Sequence, residues 1–230
     1  MIPEGLHRIR GRFGKCFVLV DERGRAVIID SGLFGYAAKF RGCFARLGLE
    51  PNAVDAILLT HGHLDHAGNL AWLKAWTRAP VHAHPAEQRH LDGTYPYIGY
   101  ARVCGLLERA GRSLMRYRPA TIDRPFADGD RLPFWGGLRV VHLPGHTLGH
   151  CGFWSERHRL LFSGDLVAIW KTWTQIPPRI LNVATEQIPA SLRKAAALQP
   201  RLVAPNHCSN TLTLEQMAER LVAKASQGDR

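Results

Sequence analysis

The sequence predicts an α/β fold, and three observations carry that prediction. Short apolar runs bounded by turn residues alternate with longer segments of helical periodicity. Hydrophobic residues make up 46 % of the 230 positions, which is enough for a full core without disulfides. Strand-like runs repeatedly end in Gly or Pro and are followed by His or Asp, at 61–66, 146, 165 and 207. We therefore expect one α/β domain over residues 1–230, with a functional site where those strands end.

The first half of the chain alternates strands and helices. The predicted strands are apolar and end in turn residues, and the predicted helices carry apolar side chains at helical spacing. Strands are expected at 6–11, 16–20, 26–29, 56–60 and 80–83. Helices are expected at 34–48, 69–76 and 85–91.

The second half begins with the least regular segment, 93–125, which contains a helical stretch at 101–117. This segment is interpreted either as a wall or lid beside a rigid site or as an ordinary helical cover. A turn at 128–130, strands at 138–143, 151–154, 160–162 and 202–204, and helices at 186–198 and 213–225 follow. Residues 166–185 between them are predicted to form a loop.

The segment from His61 to Asn69 reads His-Gly-His-Leu-Asp-His-Ala-Gly-Asn and holds three imidazoles and one carboxylate within six residues. Neutral imidazole and carboxylate are the side chains that bind zinc or iron at neutral pH. His61 and His63 flank one small residue and can point to one centre. Asp65 and His66 are adjacent, so their side chains diverge and can serve a second centre. A single histidine would more often be a surface residue, but four ligand-type residues in six positions favour a metal site.

Other histidines and one aspartate allow structural interpretations. His82, His84 and His90 lack a carboxylate or a further ligand that would complete a set, so we interpret them as structural or surface residues. Asp30 follows a strand and precedes Ser-Gly. It is either a plain turn residue or a carboxylate that holds a metal-ligating imidazole.

Cysteine usage and targeting signals bear on the compartment. The five cysteines are odd in number and scattered, and no Cys-x-x-Cys occurs. These features predict no disulfide framework and favour a reducing, cytoplasmic compartment. We find no secretory signal and no apolar stretch long enough to span a membrane, so no membrane partner is expected.

The chain is strongly basic, with a formal charge of +11 and a pI near 10.0. A polyanionic partner would explain this charge, but an anionic small substrate is equally compatible. The positive residues are mostly Arg and are spread along the chain. Nucleic acid is therefore disfavoured, and a small molecule is the expected partner. The oligomeric state is open, with a dimer among the compatible states.

Taken together, the motifs resemble the metallo-β-lactamase superfamily from about residue 13 to 208, and they occur in the family's order. Matching segments are also present at 28–32 (Ile-Ile-Asp-Ser-Gly) and 128–130 (Asp-Gly-Asp). The resemblance implies a four-layer αββα sandwich, with two mixed sheets packed together and helices outside. The matching residues are His61, His63, Asp65, His66, His146, Asp165 and His207.

The same resemblance implies two divalent metal ions. His61, His63 and His146 would bind the first ion, Asp65, His66 and His207 would bind the second, and Asp165 would bridge the two. Zinc is favoured, with iron and manganese as alternatives. A metal-bridging hydroxide would be the nucleophile. Asp65 would be the catalytic residue that orients this hydroxide.

The implied activity is hydrolysis of a small-molecule thioester, ester or lactone. His-Thr-x-Gly-His at 146–150 looks like the hydroxyacylglutathione hydrolases, with His150 expected to support the site or the core. The tail after His207 is shorter than in those enzymes, and Ala168 stands where the related acyl-homoserine lactonases carry Tyr. The alternatives are a persulfide dioxygenase with one iron and a nuclease of the same fold.

The substrate wall is expected from two segments, 93–125 and 166–181. Aromatic side chains would supply apolar contacts, and Lys or Arg would bind a carboxylate or phosphate. The predicted wall residues are Tyr95, Tyr97, Tyr100, Trp170, Lys171, Trp173 and Arg179.

Overall fold

The computed structural model of the protein describes residues 2–11 and 14–227. The predicted domain 1–230 also includes residues 1, 12, 13 and 228–230, which lie outside the described residues. The strands within the described ranges are β1 Leu6–Arg10, β2 Lys15–Val20, β3 Ala26–Ile29, β4 Val54–Leu58, β5 Val81–Ala83, β6 Arg124–Pro125, β7 Arg131–Leu132, β8 Leu138–His142, β9 Cys151–Ser155, β10 Leu160–Gly164, β11 Ala168–Ile169, β12 Thr174–Gln175 and β13 Leu202–Pro205.

Helices connect or follow these strands. The α-helices are α1 Tyr36–Leu47, α2 Leu64–Ala67, α3 Leu70–Thr77, α4 Gln88–Leu91, α5 Arg102–Leu114, α6 Ile188–Ala197 and α7 Leu214–Gln227. Short 3₁₀ turns occupy Pro51–Ala53, Pro85–Glu87, Gly99–Ala101, Arg179–Leu181 and Thr185–Gln187. Within the described ranges, no helix combines the length and apolarity that crossing a bilayer requires.

The strands form two mixed sheets and one small hairpin. The first sheet has the order β1-β2-β3-β4-β5-β6 and the second has the order β13-β10-β9-β8-β7. In the first sheet β1, β2 and β3 pair antiparallel, whereas β3 to β6 pair parallel. The second sheet is antiparallel except where β10 pairs parallel with β13. The third sheet is the two-stranded hairpin β11-β12.

The first sheet buries side chains on both faces. Along β2, Phe17 packs toward the second sheet, and its ring centroid lies 5.1 Å from that of Phe162. Val18, the next residue, points to the other face and packs with α1 and α3. This alternation follows from the two-residue period of a strand. Each large apolar side chain buried in this way contributes roughly 1.5–3 kcal/mol to stability.

Helices α6 and α7 cover the outer face of the second sheet. Leu192 of α6 and Leu221 of α7 belong to the hydrophobic cluster that includes this sheet. The layer order is therefore helix, sheet, sheet, helix, which confirms the predicted αββα sandwich. Helix α5 lies apart from these layers, beside the ends of the strands that carry the predicted ligands.

The predicted elements agree with the structure except near some boundaries and in one loop. Residues 166–185 were predicted as a loop, but they contain the β11-β12 hairpin and two 3₁₀ turns. The loop prediction was wrong there because each hairpin strand has two residues, too short for any apolar alternation to appear. The helix predicted from 186 begins at Ile188, after a 3₁₀ turn.

Candidate metal centre

The predicted ligands converge because four strands end at one edge of the sandwich. The segment after β4, which includes the short helix α2, carries residues 61–66, the loop after β8 carries His146, and Asp165 and His207 follow β10 and β13. Gly164 is required before Asp165, because its φ is +54° and an added Cβ would lie 2.5 Å from Nε2 of His150. The site therefore lies where strand ends of both sheets meet.

The first group of ligand-type side chains is His61, His63 and His146, which are all buried. Their ligating atoms lie within 4.8 Å of one another. Nδ1 of His63 and Nε2 of His146 are 2.9 Å apart and face a common point. Three imidazoles in this arrangement match the donor set of a catalytic zinc site.

The second group is Asp65, His66, Asp165 and His207, again within 4.8 Å. Nε2 of His207 lies 3.1 Å from Oδ2 of Asp65 and 3.2 Å from Oδ2 of Asp165. Nε2 of His66 lies 3.2 Å from Oδ1 of Asp165. All seven predicted side chains are therefore brought together.

Asp165 adjoins both groups. One of its oxygens, Oδ2, lies 3.2 Å from Nε2 of His207 and 3.6 Å from Nε2 of His146. A single carboxylate that faces ligands of two sites can bind two cations and offset their mutual repulsion. The geometry therefore fits the bridging position that the sequence predicts for Asp165.

Three buried polar atoms in the two groups fit bound metal ions. Nε2 of His61 has no hydrogen-bond partner, and Nε2 of His66 and Oδ1 of Asp165 have none apart from their mutual approach at 3.2 Å. An unsatisfied buried polar atom costs roughly 1–3 kcal/mol, so such atoms usually have an explanation. A cation bound between them would provide it, because all three are ligand atoms for zinc or iron.

Protonation differs between the two groups. Burial lowers the pKa of His61 and His63 well below 6.5, so both imidazoles are neutral, which is the form that binds metals. For His207, burial acts in the same direction, but the carboxylates of Asp165 and Asp65 prevail and raise the pKa to about 10. The second group thus attracts positive charge, which a proton or a metal ion can supply.

Neighbouring side chains fix the orientation of the ligand-type histidines. Oδ2 of Asp30 lies 2.9 Å from Nδ1 of His66 and also accepts a hydrogen bond from Asn206. Oδ1 of Asn182 lies 2.9 Å from Nδ1 of His146. In both imidazoles Nε2 is left to face the site. Of the two interpretations of Asp30, a plain turn residue or a carboxylate that holds an imidazole, the structure therefore supports the second.

His150 fixes the position of the Asp165 backbone by a hydrogen bond. Its Nδ1 lies 3.0 Å from the carbonyl oxygen of Leu143, and its Nε2 accepts a hydrogen bond from the backbone N–H of Asp165 at 3.0 Å. Burial lowers the pKa of His150 to about 3, so the ring is neutral and can accept that bond. These contacts agree with the expected supporting role of His150.

Glu87 is a buried residue of the site region that the sequence analysis missed. Its carboxylate accepts hydrogen bonds from the backbone N–H groups of Gly62 and Gly149 and from the hydroxyl of Thr147. Burial raises its pKa to about 7, against the effect of these three donors. Glu87 therefore links the loop of His61 and His63 to the loop of His146.

His82, His84 and His90 lie outside both groups. His84 stacks on His142 with ring centroids 4.7 Å apart, and His82 contacts Phe134 edge to face. His90 is buried, stacks on Tyr95 and lies 5.5 Å from the ring of His63. All three occupy the structural positions that were predicted for them.

A cavity of about 380 Å³ opens beside the two groups. Both predicted wall segments contribute to it, but of the seven predicted wall residues only Trp170 lines it. The other six wall residues were predicted wrongly, since none of them lines the cavity. Arg179 lies over the ring of Tyr100, for example. The lining consists mainly of apolar side chains, namely Leu33, Leu64, Leu107, Val167, Trp170, Pro177, Pro178 and Leu181.

Two polar residues of α5 also line the cavity, and no sequence motif marks either of them. Glu108 accepts a hydrogen bond from the N–H of Leu64 at 2.9 Å and pairs with Arg112 at 2.9 Å. The thiol of Cys104 lies 3.7 Å from Nε2 of His63. Among the described lining residues there is no Lys or Arg. The cavity itself therefore offers no cationic side chain to a substrate.

Comparisons with known proteins agree with this geometry. The family model for the metallo-beta-lactamase superfamily matches residues 9–207. A hydroxyacylglutathione hydrolase of Bdellovibrio bacteriovorus is 31 % identical over 156 residues, which cover 66 % of this chain and 47 % of that protein. This chain therefore spans about half the length of that relative. A probable metallo-hydrolase of Bacillus subtilis, YybB, is 28 % identical over 86 % of this chain and 82 % of its own.

A solved structure supports the same assignment. The protein TTHA1623, whose crystal structure is of a di-iron-bound form, is 28 % identical to this chain. The two superpose with a TM-score of 0.69 over 92 % of this chain and 96 % of the other. The family model and these relatives show that the chain belongs to the metallo-beta-lactamase superfamily.

Proposed function

We propose that this chain, a metal-dependent hydrolase of the metallo-beta-lactamase superfamily, binds two metal ions and hydrolyses a small thioester, ester or lactone. The observation that carries the proposal is the pair of ligand groups beside an apolar cavity, with Asp165 of the second group also 3.6 Å from His146 of the first. His61, His63 and His146 are the proposed ligands of one ion. Asp65, His66 and His207 are those of the other, and Asp165 bridges them.

The chain's own residues have distinct tasks in this proposal. When bound, two metal ions supply a hydroxide at neutral pH and polarise the carbonyl group that is attacked. Asp65 is half-buried and lines the cavity, so its carboxylate can accept a hydrogen bond from the attacking water and orient it. Asp30 and Asn182 hold His66 and His146 in their ligating orientation.

The cavity supports a substrate with an apolar part beside the scissile bond. Its lining is largely aliphatic, and a thioester, ester or lactone with a short acyl chain suits such a wall. An anionic substrate would keep its charge outside the cavity, in solvent, because no cationic side chain among the described lining residues would meet it. Nuclease activity is disfavoured, since no cationic side chain among the described lining residues would meet a phosphate.

Zinc is the metal we propose, because imidazole and carboxylate ligands suit it. Iron is an alternative that the di-iron-bound structure of TTHA1623 supports, and manganese is compatible with the carboxylates.

We also propose that residues 1–230 form one domain, since one hydrophobic cluster joins both sheets. The five cysteines are free and buried, which supports a reducing, cytoplasmic compartment.

A turnover panel tests the proposed reaction. The purified chain, loaded separately with zinc, iron and manganese, would be assayed with a thioester, a neutral ester, a lactone, a short RNA and glutathione persulfide. We expect hydrolysis of at least one of the first three. Turnover of only RNA, or oxygen consumption with only the persulfide, would contradict the proposal and favour the nuclease or the dioxygenase.

A further inference from the structure

Helix α5 carries an apolar stripe that faces solvent. Val103, Leu106, Leu107, Ala110 and Leu114 recur at spacings of three and four residues and so lie on one side of the helix. We call these five residues the α5 face. Leu106 is 65 % exposed, Leu107 60 % and Leu114 86 %. An amphipathic surface helix usually turns such a stripe toward the core, whereas here it points outward.

Another side of α5 attaches the helix to the molecule. Cys104 is buried, and Glu108 accepts a hydrogen bond from the backbone N–H of Leu64, the first residue of α2. Gly105 and Gly111 lie close to neighbouring side chains, because an added Cβ would come within 2.7 Å of Tyr97 and of Leu64, respectively. The helix is therefore held in place by polar contacts and small residues, and the α5 face is left without a covering element.

The exposed surroundings of the α5 face are cationic. Arg102 and Arg109, seven residues apart, are exposed on one flank of the helix, and Arg116 and Arg118 are exposed just beyond its end. The helix has a single acidic residue, Glu108, and it pairs with Arg112 on the attached side. The whole chain carries a formal charge of +11. The surface thus combines an apolar stripe with positive charge.

We infer that the α5 face docks on an anionic lipid bilayer. In such docking, the leucines enter the boundary between headgroups and acyl chains, and the neighbouring arginines bind the negative headgroups. A second copy of this chain would bring the same arginines toward each other, which opposes dimerisation there. A nucleic acid would meet the charge but would leave exposed leucines without an apolar partner. An anionic bilayer satisfies both features.

No membrane partner is predicted from the sequence, because no apolar stretch is long enough to span a bilayer. A helix that lies in the interface needs an apolar side and flanking cations rather than ~20 apolar residues. Leu107 belongs to the α5 face and also lines the cavity, so docking would turn the mouth of the cavity toward the bilayer. Binding itself does not depend on the proposed hydrolase activity and is measured without substrate.

Sedimentation with lipid vesicles tests the inference. The full chain would be mixed with vesicles of phosphatidylcholine alone or with one third phosphatidylglycerol, at low and at high salt. We expect binding to the anionic vesicles that weakens at high salt, and much weaker binding to the neutral ones. Absence of binding to anionic vesicles at low salt would overturn the inference.

Two sets of variants separate the contributions. The double variant Leu106→Asp, Leu114→Asp should lower the partition coefficient by about tenfold or more, since it removes apolar contacts and adds negative charge. Arg102→Gln with Arg109→Gln should weaken binding to anionic vesicles only. The matched control is Val222→Asp on α7. This side chain is also exposed, but it does not belong to the α5 face. It should bind like the parent.

The same variants also show whether a second copy of the chain, rather than a bilayer, covers the α5 face. Circular dichroism and melting temperature should be the same for the leucine double variant and the parent, because both leucines are exposed. Equal vesicle binding by parent and double variant would overturn the inference. So would a parent dimer in sedimentation velocity that becomes monomeric in the double variant, since a second copy would then cover the face.

Discussion

At the scale of single residues, Glu87 shows how the site is kept in shape. Its carboxylate is buried and bonds to Gly62 of one ligand loop and to Thr147 and Gly149 of another. Gly149 cannot carry a side chain here, because an added Cβ would lie 2.6 Å from Oε1 of Glu87. The carboxylate and the glycine therefore form one close-packed connection between the loops.

Replacing Glu87 should destabilise the fold. Glu87→Ala leaves three donors without their acceptor, so we expect a loss of about 3 kcal/mol or more in the free energy of unfolding. Glu87→Gln keeps one carbonyl oxygen and should cost less. Urea denaturation of both variants, with the exposed Glu50→Gln as control, gives these values. Equal stability of Glu87→Ala and the control would show that the connection contributes nothing.

Glu87 also shows why some site residues escape sequence analysis. The seven ligand-type residues follow strand ends in recognisable motifs, and the structure brings all of them together. Glu87 lies in a short apolar-polar segment without a motif. Nothing local distinguishes it from an exposed glutamate, because its partners are 25 to 62 positions away in sequence. Only the packing of β5 beside β4 brings it beneath the ligand loops.

At the scale of elements, the cavity wall is built by α5 and the segment after Asp165. Both segments were predicted correctly from the sequence. Within them, however, the aromatic and cationic residues were predicted to form the wall, and of these only Trp170 lines the cavity. Side-chain direction in a 3₁₀ turn or a two-residue strand cannot be inferred from composition. In the Arg179–Leu181 turn, Leu181 lines the cavity, whereas Arg179 lies over Tyr100. Regular strands such as β2 and β8 were predictable because each contains a run of apolar residues that ends before turn residues.

Substitution in this turn should affect apolar substrates selectively. Leu181→Asp places a charge in an apolar wall, so KM for a hexanoyl ester should rise about tenfold, with little change for an acetyl ester. Lys171→Ala and Arg179→Ala are matched controls outside the cavity lining. They should leave KM unchanged for both esters and for an anionic ester. A higher KM for the anionic ester in either control variant would show that this loop does recognise the charge of the substrate.

At the scale of the whole molecule, buried neutral histidines make stability depend on pH. Burial, aided by Arg112, lowers the pKa of His90 to about 3. Below about pH 6.5 the unfolded chain binds a proton that the folded chain does not bind until near pH 3. The folded state therefore loses stability as pH falls through this window, by about 1.4 kcal/mol per pH unit for such a group.

The variant His90→Phe isolates this contribution. The phenyl ring can keep the stacking on Tyr95, but it cannot take up a proton in the unfolded chain. Between pH 7.5 and pH 5, the stability of His90→Phe relative to the parent should improve by roughly 2 kcal/mol. Urea denaturation at both pH values measures the difference. A gap between the two proteins that does not change with pH would contradict the neutral state of His90.

The proposed two-metal site depends on the whole molecule, because its candidate ligands follow strands of both sheets. Asp165 has the central position, with Oδ2 within 3.6 Å of Nε2 of both His146 and His207. Loss of this carboxylate should lower the affinity for both ions and reduce turnover by several orders of magnitude. Asp55, an exposed partner of Arg25, provides a matched control.

Elemental analysis of the purified chain is the most direct measurement of the central claim. We expect about two divalent ions per chain in the parent and in Asp55→Ala, and clearly fewer in Asp165→Ala, because a bridging ligand serves both ions. A single iron per parent chain, with no second metal even after loading, would contradict the two-metal site and favour a mononuclear oxygenase. Two ions retained by Asp165→Ala would contradict the bridging role of Asp165.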